Sequence, residues 1–177
     1  MTPQAKESAT VPVWHVLVRV SHWLVAAIVL FNLFNESGPM HRYAGYVAFA
    51  VVMARLAVGL TRPADDVAHV GLPLWSALHQ HLSDLRHGRV HRSLGHNPAG
   101  LCMALVLWLL VLLLGLTGWM SRLDRFWGEA WLTDIHELLA ETLQICVAVH
   151  VVGVIVMSRL QKENLLKAMI TGRKPKL

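Results

Sequence analysis

The sequence predicts an all-α membrane protein, a four-transmembrane-helix bundle with both termini cytoplasmic and an interfacial helix in the loop between the second and third spans. Three observations carry this prediction. Hydrophobic residues make up 55% of the 177 and charged residues only 15%, where soluble domains carry roughly 25% charge. Mean hydropathy is +0.47. Four apolar runs are each long enough to supply the roughly 20 helical residues that cross a bilayer. So little charge excludes a soluble enzyme and a disordered chain. The whole chain, 1–177, reads as one integral membrane domain.

The first span covers about 14–34, after a polar stretch that ends at Pro12. Its apolar run is longer than the core of a cleavable signal peptide and is broken by Arg19 and His22, so it reads as a retained span. The second span covers about 43–60, the third about 98–120 and the fourth about 133–160. Within the 61–97 loop, Pro73 is followed by Trp75, Leu78, Leu82 and Leu85 at three- and four-residue steps. That spacing predicts an amphipathic helix lying in the plane of the membrane. In the 121–132 loop, Phe126, Trp127 and Trp131 read as an aromatic belt at the other interface.

Basic residues set the orientation. Lys6, Arg62, Arg86, Arg89, Arg92, Arg159, Lys162, Lys167, Arg173, Lys174 and Lys176 fall on one side, against Arg42, Arg122 and Arg125 on the other. The first side, with both termini, is therefore cytoplasmic. The net charge of +5 belongs to these membrane-flanking clusters and not to an aromatic-interleaved stripe, so no nucleic-acid partner is expected. Cys102 and Cys146 lie inside apolar runs and there is no CxxCH motif. Covalent c-type haem is thereby excluded, and the thiols read as packing residues.

Histidine carries the functional signal. Ionisable groups at membrane depth are costly and face a cofactor, a partner or water. His136 and His150 lie fourteen residues apart in the fourth span. That is about 21 Å along a helix and about 40° short of four full turns, so both project from nearly one face at opposite depths. His41 opens the second span at the outer side, and His22 lies in the inner half of the first. Two cross-bundle pairs follow: His41 with His136 outside, and His22 with His150 inside. Zinc would want four ligands where each pair offers two. A proton relay, the distant alternative together with metal transport, would want carboxylates at mid-membrane. Haem takes two axial imidazoles and buries its ring between apolar helices. Arg19 and Arg55 at inner depth, and Arg42 at the outer side, suit haem propionates. Gly45, Gly59, Gly115 and Gly118 suit close approach to a porphyrin or to a neighbouring helix. Trp23, beside His22, reads as core. His15 reads as solvated at the inner interface, and His69, His79, His81, His87 and His91 as loop residues. His96 precedes a helix start at Asn97 and Pro98, where a quinone or propionate contact is a further reading.

Several pieces together give a resemblance: Arg19-Val-Ser-His-Trp23, His41-Arg-Tyr-Ala-Gly-Tyr46, Leu94-Gly-His-Asn-Pro-Ala-Gly100, Leu116-Thr-Gly-Trp119, His136-Glu-Leu-Leu-Ala140 with His150, and the 163–173 tail. The chain resembles the bacterial cytochrome b561 family, which overlaps the b-type cytochrome subunits of nickel–iron hydrogenases. The resemblance implies two b haems with bis-histidine ligation, the first and fourth spans holding one and the second and fourth the other. On this chain that pairing is His22 with His150 and His41 with His136. It further implies an electron-transfer cytochrome or quinone-linked oxidoreductase of the bacterial inner membrane. Such a protein exchanges electrons between the quinone pool, ubiquinone or menaquinone, and a periplasmic cytochrome c or other redox partner. A superoxide:ubiquinone oxidoreductase is the alternative, with Arg42, Arg122 and Arg125 attracting the anion.

Overall fold

The computed structural model describes residues 10–62, 75–90 and 97–176. The predicted Pro73 and the loop residues His69, His91 and His96 lie outside them. The described elements run β1 (Thr10–Pro12), α1 (Val16–Phe34), α2 (Gly38–Thr61), α3 (Trp75–Arg86), α4 (Pro98–Met120), a 3-10 turn (Asp124–Phe126), α5 (Ala130–Leu160), α6 (Leu165–Thr171) and β2 (Arg173–Pro175). α1, α2, α4 and α5 are long and apolar enough to cross a membrane, so the protein is multi-pass.

Helix boundaries follow local chemistry. α4 begins where the sequence predicts, because the Asn97 side chain accepts a 2.6 Å hydrogen bond from Gly100 N and Pro98 needs no donor there. α1 starts two residues later than expected, since Val13 N and Trp14 N donate to Gly172 O. Those bonds keep the chain extended up to the His15 cap. That cap accepts a 3.2 Å bond from Leu17 N through Nδ1. α2 starts five residues earlier, at Gly38, because Pro39 supplies a helical φ in the first turn. His41 and Arg42 therefore lie inside the helix and not in front of it. α5 likewise starts at Ala130 rather than 133.

The four long helices pack in sequence: α1 on α2, α2 on α4, and α4 on α5. α5 makes no backbone contact of that extent with α1 or α2 among the described residues. The core is Ala48 and Val52 of α2, Leu110 and Val111 of α4, and Leu143 of α5. Lipid offers no hydrophobic drive between helices, so close fit must hold them. Gly115 supplies one such fit: a Cβ there would lie 2.5 Å from Phe49 Cδ2. Apolar side chains such as Phe34, Leu138 and Ile145 are exposed, as a lipid-facing surface requires.

β1 and β2 form a two-stranded antiparallel sheet with Val11 opposite Lys174. This sheet ties the two ends of the chain together. It and α6 are absent from the sequence expectations. α3 matches the predicted amphipathic helix and exposes Trp75 and Leu82, while His81 is buried on its other side.

Candidate functional site

His22 lies in the second turn of α1, His41 in the first turns of α2, and His136 and His150 on α5. The bundle brings them together as two pairs. The ring centres of His41 and His136 are 6.2 Å apart with planes at 67°. Those of His22 and His150 are 6.4 Å apart at 50°. Each pair bridges α5 to α2 or α1, where the helix backbones themselves scarcely meet. Leu143, midway along the sequence between His136 and His150, is buried in the apolar core. Ala48, midway between His41 and Arg55, lies in the same core. A buried aliphatic layer thus lies between the two pairs.

The separations carry chemical information. A direct N–H···N bond between two imidazoles would bring ring centres to about 5 Å. Two imidazoles bound to one metal at about 2.0 Å on opposite sides put their centres about 6 Å apart. The observed 6.2 and 6.4 Å suit an ion between the rings. Among the described residues no three His, Cys, Asp or Glu cluster tightly enough to hold a bare metal ion. A donor set of two opposed imidazoles fits haem, whose porphyrin supplies the remaining iron ligands.

The pair at the α1–α2 turn is oriented by further hydrogen bonds. His41 Nδ1 donates to Asn35 O at 2.7 Å, and Asn32 Nδ2 donates to His41 O at 3.2 Å. His136 Nδ1 lies 2.8 Å from Thr117 Oγ1. Gly118 leaves space beside that ring, since a Cβ there would sit 3.4 Å from His136 Cε1. At the other pair, His22 Nδ1 is buried without a hydrogen-bond partner, and Trp23 stands edge-on to the His22 ring at 5.1 Å. Trp23 is not core, as its sequence position suggested. It is 40% exposed and donates Nε1 to Met169 O, so the indole is drawn out towards α6.

The arginines fall as follows. Arg19 donates Nη2 to Ile170 O and packs on Gly172, where a Cβ would lie 3.0 Å from Arg19 Nη1. Arg55 is 4% exposed, with its guanidinium 5.6 Å from the Trp108 ring centre. Arg42 stacks on Tyr43 at 5.3 Å. Arg122 and Arg125 stack on Trp127 and Phe126. Thr117 and Asn35 are the site residues that sequence reasoning missed. Thr117 lies within the Leu116-Thr-Gly-Trp119 piece of the resemblance, but nothing there linked its hydroxyl to His136.

Four apolar helices with histidines facing each other across the bundle mark a membrane-bound cytochrome. The chain belongs to the prokaryotic cytochrome b561 family, whose family model matches residues 13–172. Searches of curated proteins and of solved structures returned no significant match. Family membership implies transmembrane electron transfer through b-type haem.

Proposed function

We propose that the chain is a di-haem cytochrome b of the bacterial inner membrane. His22 and His150 hold the inner haem, and His41 and His136 the outer one. In this reading the α1–α2 turn faces the periplasm and both termini face the cytoplasm, as the basic-residue bias requires. Electrons pass between the quinone pool, ubiquinone or menaquinone, and a redox partner at the periplasmic face, such as a cytochrome c. The observation that carries the reading is the pair of ring separations, each suited to one iron between two imidazoles.

Haem supplies one-electron carriage at each site. The chain supplies the rest. Four imidazoles present nitrogen lone pairs from helices that packing holds in place. Leu143, Ala48 and Val52 exclude water from the layer between the sites, so the potentials are set by ligands and nearby charge. Arg55 is buried at the inner depth, four helical turns along α2 from His41. Its cation suits an inner propionate, as Arg42 suits an outer one. Arg19 bonds to the tail and can serve the inner propionates only alongside that contact.

A superoxide:ubiquinone oxidoreductase is the second reading, in which Arg42, Arg122 and Arg125 at the outer end attract the anion. There a cavity of about 330 Å³ is lined by Arg122, Phe126, Trp127, Glu129 and Thr133, among others. Superoxide that reduces the purified protein rapidly, with a rate that falls as salt rises, would select this reading over a cytochrome partner.

The test of the main reading is a reduced-minus-oxidised spectrum with haem quantified as the pyridine haemochrome. Two low-spin b haems per chain are expected. One haem, or none, overturns the proposal.

A further inference from the structure

We infer that Thr117 is a positioning residue of the outer haem site, and that its hydroxyl helps hold that site at a lower reduction potential than the inner one. The inference rests on the assignment of His41 and His136 to the outer haem.

The argument starts from hydrogen counting. Thr117 has one hydroxyl hydrogen, and two carbonyls lie ready for it: Leu113 O at 2.9 Å and Leu114 O at 3.2 Å. Such back-bonding is usual for threonine inside a helix. With that hydrogen committed, the oxygen meets His136 Nδ1 at 2.8 Å as an acceptor, and the imidazole donates. His41 is constrained more strictly. Its Nδ1 faces the Asn35 carbonyl at 2.7 Å, and a carbonyl only accepts. Both outer rings therefore carry their proton on Nδ1, which leaves Nε2 unprotonated as the nitrogen available to a metal. A metal-bound histidine that donates its second N–H becomes the more basic ligand, and a more basic ligand favours the ferric state.

The inner pair lacks this support among the described residues. His22 Nδ1 is buried with no hydrogen-bond partner, and Trp23 meets the His22 ring with its edge. The two sites share a ligand set and differ in what stands behind it. That asymmetry lowers the outer potential relative to the inner one. With haem held at both sites, transfer of one electron from the outer site to the inner one would be the favourable direction.

Two variants test the inference. Thr117→Val keeps the shape and removes the hydroxyl, and Thr117→Ser keeps the hydroxyl. The readouts are haem content and the two midpoint potentials from potentiometry, assigned with His136→Ala and His22→Ala as references. Thr117→Val is expected to raise the outer potential and leave the inner one unchanged, with Thr117→Ser close to wild type. Loss of the outer haem in Thr117→Val with its retention in Thr117→Ser supports the same role. Unchanged potentials in Thr117→Val, or equal effects of the two variants, overturn it. If His136→Ala keeps both haems, the ligand assignment itself falls. If His136→Ala loses one haem and Thr117→Val changes nothing, only the role of Thr117 falls.

Discussion

Lys174 places its ammonium nitrogen 3.4 Å from a Glu163 carboxylate oxygen, with the Lys174 side chain only 3% exposed. Glu163 follows the end of α5 and Lys174 is the middle residue of β2, so the pair fastens the tail to the bundle. Arg19 bonded to Ile170 O, Trp23 to Met169 O, and the β1–β2 pairing complete the clasp. Both neighbours of the His22 turn on α1 are thus tied to α6.

Removing one partner of a buried ion pair destabilises the fold by about 3–5 kcal/mol. Lys174→Met should therefore lower the thermal midpoint of the detergent-purified protein, followed by far-UV circular dichroism. Lys174→Met with Glu163→Leu should recover part of the loss, because an apolar pair of similar volume carries no desolvation cost there. On heating Lys174→Met, the haem at His22 and His150 should be lost before the other. Simultaneous loss of both haems would mean that the clasp does not support the inner site.

Gly115 and Phe49 make a second, independent prediction. A methyl on Gly115 would meet Phe49 at Cδ2, Cβ and Cγ, all within 3.0 Å. The contact reaches the root of the side chain, so a rotamer change cannot relieve it and helices α2 and α4 must part. Overpacking of this kind costs about 1–3 kcal/mol. Gly115→Ala should lower the thermal midpoint, and Phe49→Leu in that background should restore part of it. An unchanged midpoint in Gly115→Ala would show that α2 and α4 separate freely.

The spans were legible because crossing a membrane demands a long apolar run, a signal that survives without tertiary context. The histidine pairing was legible because the fourteen-residue step from His136 to His150 matches the helical period. The start of α2 was placed too late because the apolar run begins only at about 43, although Pro39 carried the stronger local signal for a helix start. The clasp could not be read in advance. It joins Thr10–Pro12 to Arg173–Pro175, two three-residue strands whose pairing depends on contacts distant in sequence. Nor could the partner of His136, since a threonine in an apolar helix bonds its own carbonyls whether or not a ring lies near.

The ligand assignment predicts a pattern across four substitutions. His41→Ala and His136→Ala should each lose the outer haem, and His22→Ala and His150→Ala the inner one. Every variant should keep one haem per chain by pyridine haemochrome. The two members of a pair should give the same residual spectrum and midpoint potential. Different residual haems within a pair would mean that the rings do not share an iron.

Arg55 supplies the last prediction. It is buried within the membrane bundle at 4% exposure, against the Trp108 ring, on the α2 face that carries His41. Guanidinium stays protonated in proteins, so its charge favours the state of the nearer haem that holds one more electron. A unit charge about 10 Å away, at an effective dielectric constant of about 20, contributes about 1.7 kcal/mol. For a one-electron couple that is on the order of 70 mV, at about 59 mV per tenfold change in the equilibrium constant. Arg55→Gln should therefore lower the inner midpoint potential by tens of millivolts and move the outer one less. Arg55→Lys should stay near the native value, because the charge remains. The two substitutions separate charge from shape: equal shifts would mean that Arg55 acts through packing on Trp108, and a larger shift at the outer haem would place its charge at the other depth.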